Sequence, residues 1–202
     1  MKTAKKVFLL LNGLAPSSFP NVDTYDLICA TDGAVQILET FGVTADVVIG
    51  DFDSASHYPQ ESDVLITPNQ DFTDFEKALK LLFESGYRTV DVFGASGKEQ
   101  DHFLGNLHVA LVWKDKLDIT FLDDFGSYQF IPKNFTATNM ISKTVSLYPF
   151  PIAKHVKTNG LKFPLENEHL ELGLRIGIRN KAIANTVEIA FTAGNLIVFI
   201  EH

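Results

Sequence analysis

Two aspartates, Asp51 and Asp53, stand two residues apart directly after the run Val47-Val48-Ile49-Gly50, with Ser54 behind them. In an extended segment, residues two apart project to the same side. Both carboxylates can therefore face one cation or a pair. Asp32 follows the apolar run 27–30, Asp71 and Asp74 follow 64–66, and Asp101 follows 89–93. Carboxylates gathered in this number repel one another and raise one another's pKa values. A divalent cation removes that repulsion. No His/Cys cluster has zinc spacing. Oxygen-only donors favour Mg²⁺, usually held by one or two carboxylates together with substrate phosphates. Lys77, one helical turn beyond Asp74, can reach a phosphate or remain a solvated helix lysine.

Structural roles compete at each position. Asp32 and Asp101 can cap the helices they precede. Thr73-Asp74-Phe75-Glu76 reads as a capping box, with Asp74 also suited to the helix dipole. Asp51 and Asp53 can be turn residues. None of these roles explains why so many aspartates follow strand ends. Other chemistries lack their signatures. G-x-x-x-x-G-K-[ST], G-x-G-x-x-G after the first strand and G-x-S-x-G are all absent. Cys29 sits inside a strand pattern. His102 and His108 have no partner at metal spacing, and His108 reads as structural.

The elements that position these groups follow from periodicity. Strands are expected at 7–11, 27–30, 47–49, 64–66, 89–93 and 119–122. A helix is expected over 73–85, with Phe75, Ala78, Leu79, Leu82 and Phe83 on one face and Gly86 as its stop. A second spans 101–113, with Phe103, Leu104, Leu107, Ala110 and Leu111 apolar. Strand–helix alternation predicts a mostly parallel, Rossmann-like sheet flanked by helices over 1–125. After Gly126 short alternating runs take over, at 128–131, 144–148, 155–158, 170–172, 187–191 and 196–200. They predict an all-β sandwich over 126–202, with Gly194-Asn195 as a hairpin turn.

Composition narrows the partners. Apolar residues make up 46% of the 202, enough for a core, and the net charge is −8 with no long basic run. A nucleic-acid surface is not expected. The run 7–11 is shorter than the roughly 7–15 residues of a signal-peptide core, and nothing approaches the ~20 apolar residues of a membrane span. With Cys29 the only cysteine, a reducing, cytoplasmic setting is expected.

Asp32-Gly33-Ala34, the 50–54 stretch GDFDS, the 70–79 stretch QDFTDFEKAL and Asp101-His102 with Asn106 resemble, in that order, thiamin pyrophosphokinases. TNGLKFPL at 158–165 and GIRN at 177–180 are similar to later motifs of that family. The resemblance implies an α/β domain binding ATP and Mg²⁺, then a thiamin-binding β-sandwich. It implies a homodimer with thiamin at the subunit interface. The reaction implied moves the pyrophosphoryl group of ATP to thiamin. By the same resemblance, Asp51, Asp53 and Asp74 hold the metal, and Asp101 joins them in catalysis. Asp32, Ser54, Thr73, Lys77, Lys98 and His102 meet the ATP phosphates. Gln70, Leu161, Phe163, Arg179 and Asn180 meet thiamin. Three positions depart from the family: Glu99 replaces an arginine, Arg179 a serine, and Phe163 a common tryptophan. A pyrophosphokinase for another alcohol, such as a pterin, or a catalytically weak thiamin- or nucleotide-binding protein are the alternatives.

Overall fold

The computed structural model describes residues 5–51, 62–67 and 71–202. The chain is mixed α/β, rich in sheet and poor in helix, and divides into two compact units, Met1–Asp124 and Phe125–His202.

The first unit runs β1 (Lys6–Leu10), β2 (Leu27–Thr31), α1 (Val35–Thr40), β3 (Val47–Gly50), β4 (Asp63–Ile66), α2 (Asp74–Glu84), β5 (Thr89–Phe93), α3 (Gln100–Trp113) and β6 (Asp118–Asp123). Among the described residues these strands pair in the order β4-β3-β2-β1-β5-β6, every pair parallel. All six expected strands lie within a residue of these bounds. Their branched apolar runs suit strands buried on both faces, and Val7 to Leu10 are wholly buried. Phe8 stacks on Phe93 at 4.5 Å and meets Phe19 and Tyr25 edge-on. From β1 the chain steps outward through β2, β3 and β4, then returns to the other flank of β1 as β5. In open α/β sheets a ligand crevice lies at the carboxyl ends of strands flanking such a reversal.

α2 behaves as its spacing predicts. The Thr73 hydroxyl accepts the Glu76 N–H at 3.2 Å, and Phe75, Ala78, Leu79 and Leu82 are buried. α3 buries most of the expected apolar set. Leu107 and Ala110 are inside together with Val109 and Trp113, Phe103 and Leu111 are half-buried, and only Leu104 of the set is exposed, at 60%. Apolar residues surround this helix, so spacing alone could not choose its inner face. His108, read as structural, is exposed on α3.

The second unit comprises β7 (Gly126–Phe130), β8 (Asn134–Thr138), β9 (Thr144–Asn159), β10 (Glu166–Glu171), β11 (Gly177–Lys181), β12 (Thr186–Ala190) and β13 (Ala193–Glu201). Its described pairings are antiparallel and centre on β9. The expected strands at 144–148 and 155–158 are one strand. Between the two runs, Pro149 and Pro151 fall where one edge of β9 changes partner, from β11 at Leu147 to β10 at Ile152. There a missing N–H costs the ladder little. The Gly194-Asn195 hairpin is also corrected. β12 pairs with β8 and β9, and β13 with β7 and β9. Gly194, at φ +82°, sits at a register shift inside β13, where a Cβ would overlap the Ile152 carbonyl. It is a bulge glycine. Val145, Leu147, Val156, Leu170 and Leu196 belong to this unit's core.

Candidate active site

The exits of β1 and β5 are joined by backbone. Gly13 N–H donates to the Gly94 carbonyl at 2.7 Å, and Leu14 N–H to the Ser96 carbonyl at 2.7 Å. A Cβ on Gly13 would overlap the Gly94 carbonyl, and Gly94 itself holds φ +66°. Glycine at both positions permits this approach. A cleft of about 550 Å³ opens beside it, lined by Asp32, Asp51, Asp71, Asp74 and Asp101. Each described member of the predicted acidic set therefore reaches one cleft. Thr73, Lys77, Lys98 and His102 line it too. Asp53, Ser54 and Gln70 lie outside the described residues.

Capping does not account for Asp32 or Asp101. Asp32 opens a single 3₁₀ turn and accepts its neighbour Gly33's N–H at 2.6 Å. Its carboxyl lies against Gly50, where a Cβ would overlap it. Glu99, not Asp101, occupies the cap of α3, and without a capping hydrogen bond. Asp101 accepts the His102 N–H at 3.0 Å.

Lys77 is not a solvated lysine. Its side chain is 9% exposed, and its ammonium donates to Asp74 Oδ1 and to the Thr67 carbonyl, each at 3.0 Å. An ammonium has three N–H donors, so a third can serve a ligand in the cleft. Burial pushes the Asp74 carboxyl above its ordinary value. The Asp32 and Asp51 charges push the same way, and Lys77 opposes them. That repulsion is the observation that fits a cation. Among the described residues no three acidic or imidazole groups already form a metal cluster. Mg²⁺ suits such a set, because it completes its shell from phosphate and water.

Two positions gain contacts that sequence reasoning did not assign. Asn12 Oδ1 accepts from Lys98 Nζ at 2.9 Å. Asn106 Nδ2 donates to the Ala95 carbonyl at 2.9 Å, tying α3 to the β5 exit. Glu99 Oε2 faces His102 Nε2 at 3.7 Å, both side chains being well exposed.

In the second unit Leu161 is a core residue, 3% exposed and bridged to Ala182. Phe163 carries its ring outside, 64% exposed. Asn180 bonds the Phe163 backbone. Arg179, at φ +55°, donates its N–H to Ser146 Oγ at 2.9 Å. Its charge also helps hold the Glu201 carboxyl below the ordinary range, behind a larger effect from a Thr144 hydrogen bond.

Comparison with known proteins adds a family. Residues 21–121 match the model for the thiamin pyrophosphokinase catalytic domain, and residues 131–196 that for its vitamin B1 binding domain. A thiamine pyrophosphokinase of Bacillus subtilis is 29% identical, covering 98% of this chain and 97% of the relative. Thiamin pyrophosphokinase 1 of Caenorhabditis elegans is 26% identical over 85% of this chain and 77% of its own length. The crystal structure of the Bacillus subtilis thiamine pyrophosphokinase aligns with a TM-score of 0.83 at 25% identity. That alignment covers 98% of this chain and 99% of the other.

Proposed function

The chain belongs to the thiamin pyrophosphokinase family, and we propose that it transfers the pyrophosphoryl group of ATP to the hydroxyl of thiamin, giving thiamin diphosphate and AMP. The acidic cleft beside the β1 and β5 exits is the observation that carries this assignment. Asp51, Asp53 and Asp74 hold Mg²⁺, which when bound neutralises triphosphate charge. Lys77 adds a fixed cation at the same phosphates, and Lys98, steadied by Asn12, a second. The thiamin hydroxyl oxygen attacks the β-phosphorus in line. A new O–P bond forms there, the bond to the α,β-bridging oxygen breaks, and AMP leaves. Asp74, at the start of α2 on this rim, accepts the hydroxyl proton. Most of the acceleration comes from positioning and charge stabilisation.

In the same assignment the first unit is a Rossmann-like ATP-binding domain, 1–125, which its parallel strand order supports. The second, 126–202, is a β-sandwich that binds thiamin through Phe163 and its neighbours. A homodimer places thiamin between subunits. Exposed Leu172, Leu174, Ile176 and Ile178 around the β10–β11 turn supply an apolar surface for it. A buried free thiol at Cys29 suits the cytoplasm. No described helix is long and apolar enough to cross a membrane.

Incubation with thiamin, ATP and Mg²⁺, followed by chromatography, tests the assignment. Thiamin diphosphate and AMP in equal amounts are expected. ADP with thiamin monophosphate, or no thiamin-dependent product, overturns it.

A further inference from the structure

We infer that Asn180 is a positioning residue: resting on the thiamin assignment above, it locks Phe163 as an aromatic platform for the substrate's ring by gripping the Phe163 backbone, and does not itself touch the substrate. Phe163 N–H donates to Asn180 Oδ1 at 3.1 Å, and Asn180 Nδ2 donates to the Phe163 carbonyl at 2.6 Å. A backbone N–H only donates and a carbonyl only accepts, so the amide has one possible orientation. The same Oδ1 accepts the Lys181 N–H at 2.9 Å. The oxygen is thus filled by two donors, and one amide N–H is committed. Little hydrogen-bonding capacity remains for a ligand.

The clamp continues a backbone ladder. Leu161 bridges Ala182, and Lys162 N–H donates to the Lys181 carbonyl at 2.8 Å. At the next residue the Asn180 side chain replaces a strand partner. The register of β11 shifts between Gly177 and Asn180, around Arg179 at φ +55°, and this local irregularity accompanies the grip.

What is held is a ring that folding does not use. Phe163 is 64% exposed, while Leu161 two residues earlier is buried at 3%. Ordering a residue costs conformational entropy, and an exposed ring returns little burial for it. The ring face already attracts a cation, with Lys162 Nζ 5.4 Å from its centroid. A planar aromatic heterocycle matches such a face by stacking, with the exposed Lys162 side chain swung off the ring.

A double-mutant cycle on the full-length enzyme tests this, with Asn180→Leu, Phe163→Ala and the pair. Each single variant should raise the thiamin KM about tenfold, with kcat within about threefold and the ATP KM unchanged. The pair should be no worse than the worse single, because Asn180 acts through Phe163. Multiplying effects, or an unchanged thiamin KM in Asn180→Leu, overturn the positioning role. An unchanged thiamin KM in Phe163→Ala instead overturns the placement of thiamin at this ring, and the inference with it. Should Asn180→Leu fold poorly, Asn180→Asp keeps the acceptor and loses the donor. It should raise the thiamin KM less than Phe163→Ala does and speed hydrogen exchange at the Phe163 amide. Unchanged exchange there would overturn the clamp without touching the assigned reaction.

Discussion

Lys77 Nζ lies 3.0 Å from Asp74 Oδ1, one helical turn away on α2, and the same ammonium bonds the Thr67 carbonyl beyond β4. The pair therefore ties the start of α2 to a strand exit. Lys77→Met keeps the stem and removes the charge. The ATP kcat/KM should fall about 100-fold or more, by loss of phosphate stabilisation. Unfolding free energy should fall by roughly 1–3 kcal/mol, because a half-buried carboxylate loses its charged partner. Steady-state kinetics and urea titration measure both, and a variant with wild-type kinetics would remove Lys77 from the site.

Asp74 makes a pH-dependent prediction. Its folded carboxyl is raised, while its unfolded value is ordinary, about 3.9. Between those values the folded state binds more protons than the unfolded state. The associated stability is full below the unfolded value and is lost as pH rises through the folded one. Asp74→Asn abolishes that titration. Without Mg²⁺ at pH 7 the variant should match or exceed wild-type stability, and the difference should vanish in acid. Mg²⁺ should raise the wild-type melting temperature more than the variant's. Lower stability for Asp74→Asn at pH 7 would contradict the raised carboxyl.

Gly50 links stability to activity. A Cβ there overlaps the Asp32 carboxyl and also falls 2.7 Å from the Asp32 Cβ, which no side-chain rotation can move away. In Gly50→Ala the backbone carrying Asp32 must shift with its carboxyl, at a cost of about 1–3 kcal/mol. The ATP kcat/KM should fall about tenfold or more, since small misplacements of positioned groups are costly. Thermal unfolding and kinetics on one preparation measure both, and wild-type values for both would contradict the close approach of Gly50 to Asp32.

Glu99 lines the cleft at the position where the sequence resemblance leads one to expect an arginine. Glu99→Arg should raise the ATP kcat/KM about two- to fivefold at low ionic strength. The gain should shrink in ~0.5 M salt, because exposed charges are screened. No gain at low salt would mean the phosphates lie out of reach of this side chain.

Cys29 should be silent. Burial pushes its thiol up to about 12, so little thiolate exists at neutral pH and the strand covers it. Native protein should resist a thiol reagent that labels it fully in denaturant. Rapid native labelling would contradict its burial.

The first unit was largely legible because its strands are buried on both faces and its acidic residues follow them directly. The rim could be read as soon as the sheet was taken as parallel. α3 hid its inner face because Leu104 and Val112 are as apolar as Leu107 and Ala110. β8 and β11 went unnoticed; β11 carries Arg179 and Asn180, and its polar, irregular run lacks clean alternation. β9 read as two strands, at 144–148 and 155–158, because its continuity through the segment between them depends on partners distant in sequence. Asn12 could not be foreseen as the partner of Lys98, 86 residues away.

The most direct measurement follows the β-phosphorus. ATP labelled at that atom, with thiamin and Mg²⁺, should place all transferred label in thiamin diphosphate and none in AMP. Label retained in a nucleoside diphosphate would mean that only the γ-phosphoryl group moves. The acidic cleft would then not direct attack at the β-phosphorus.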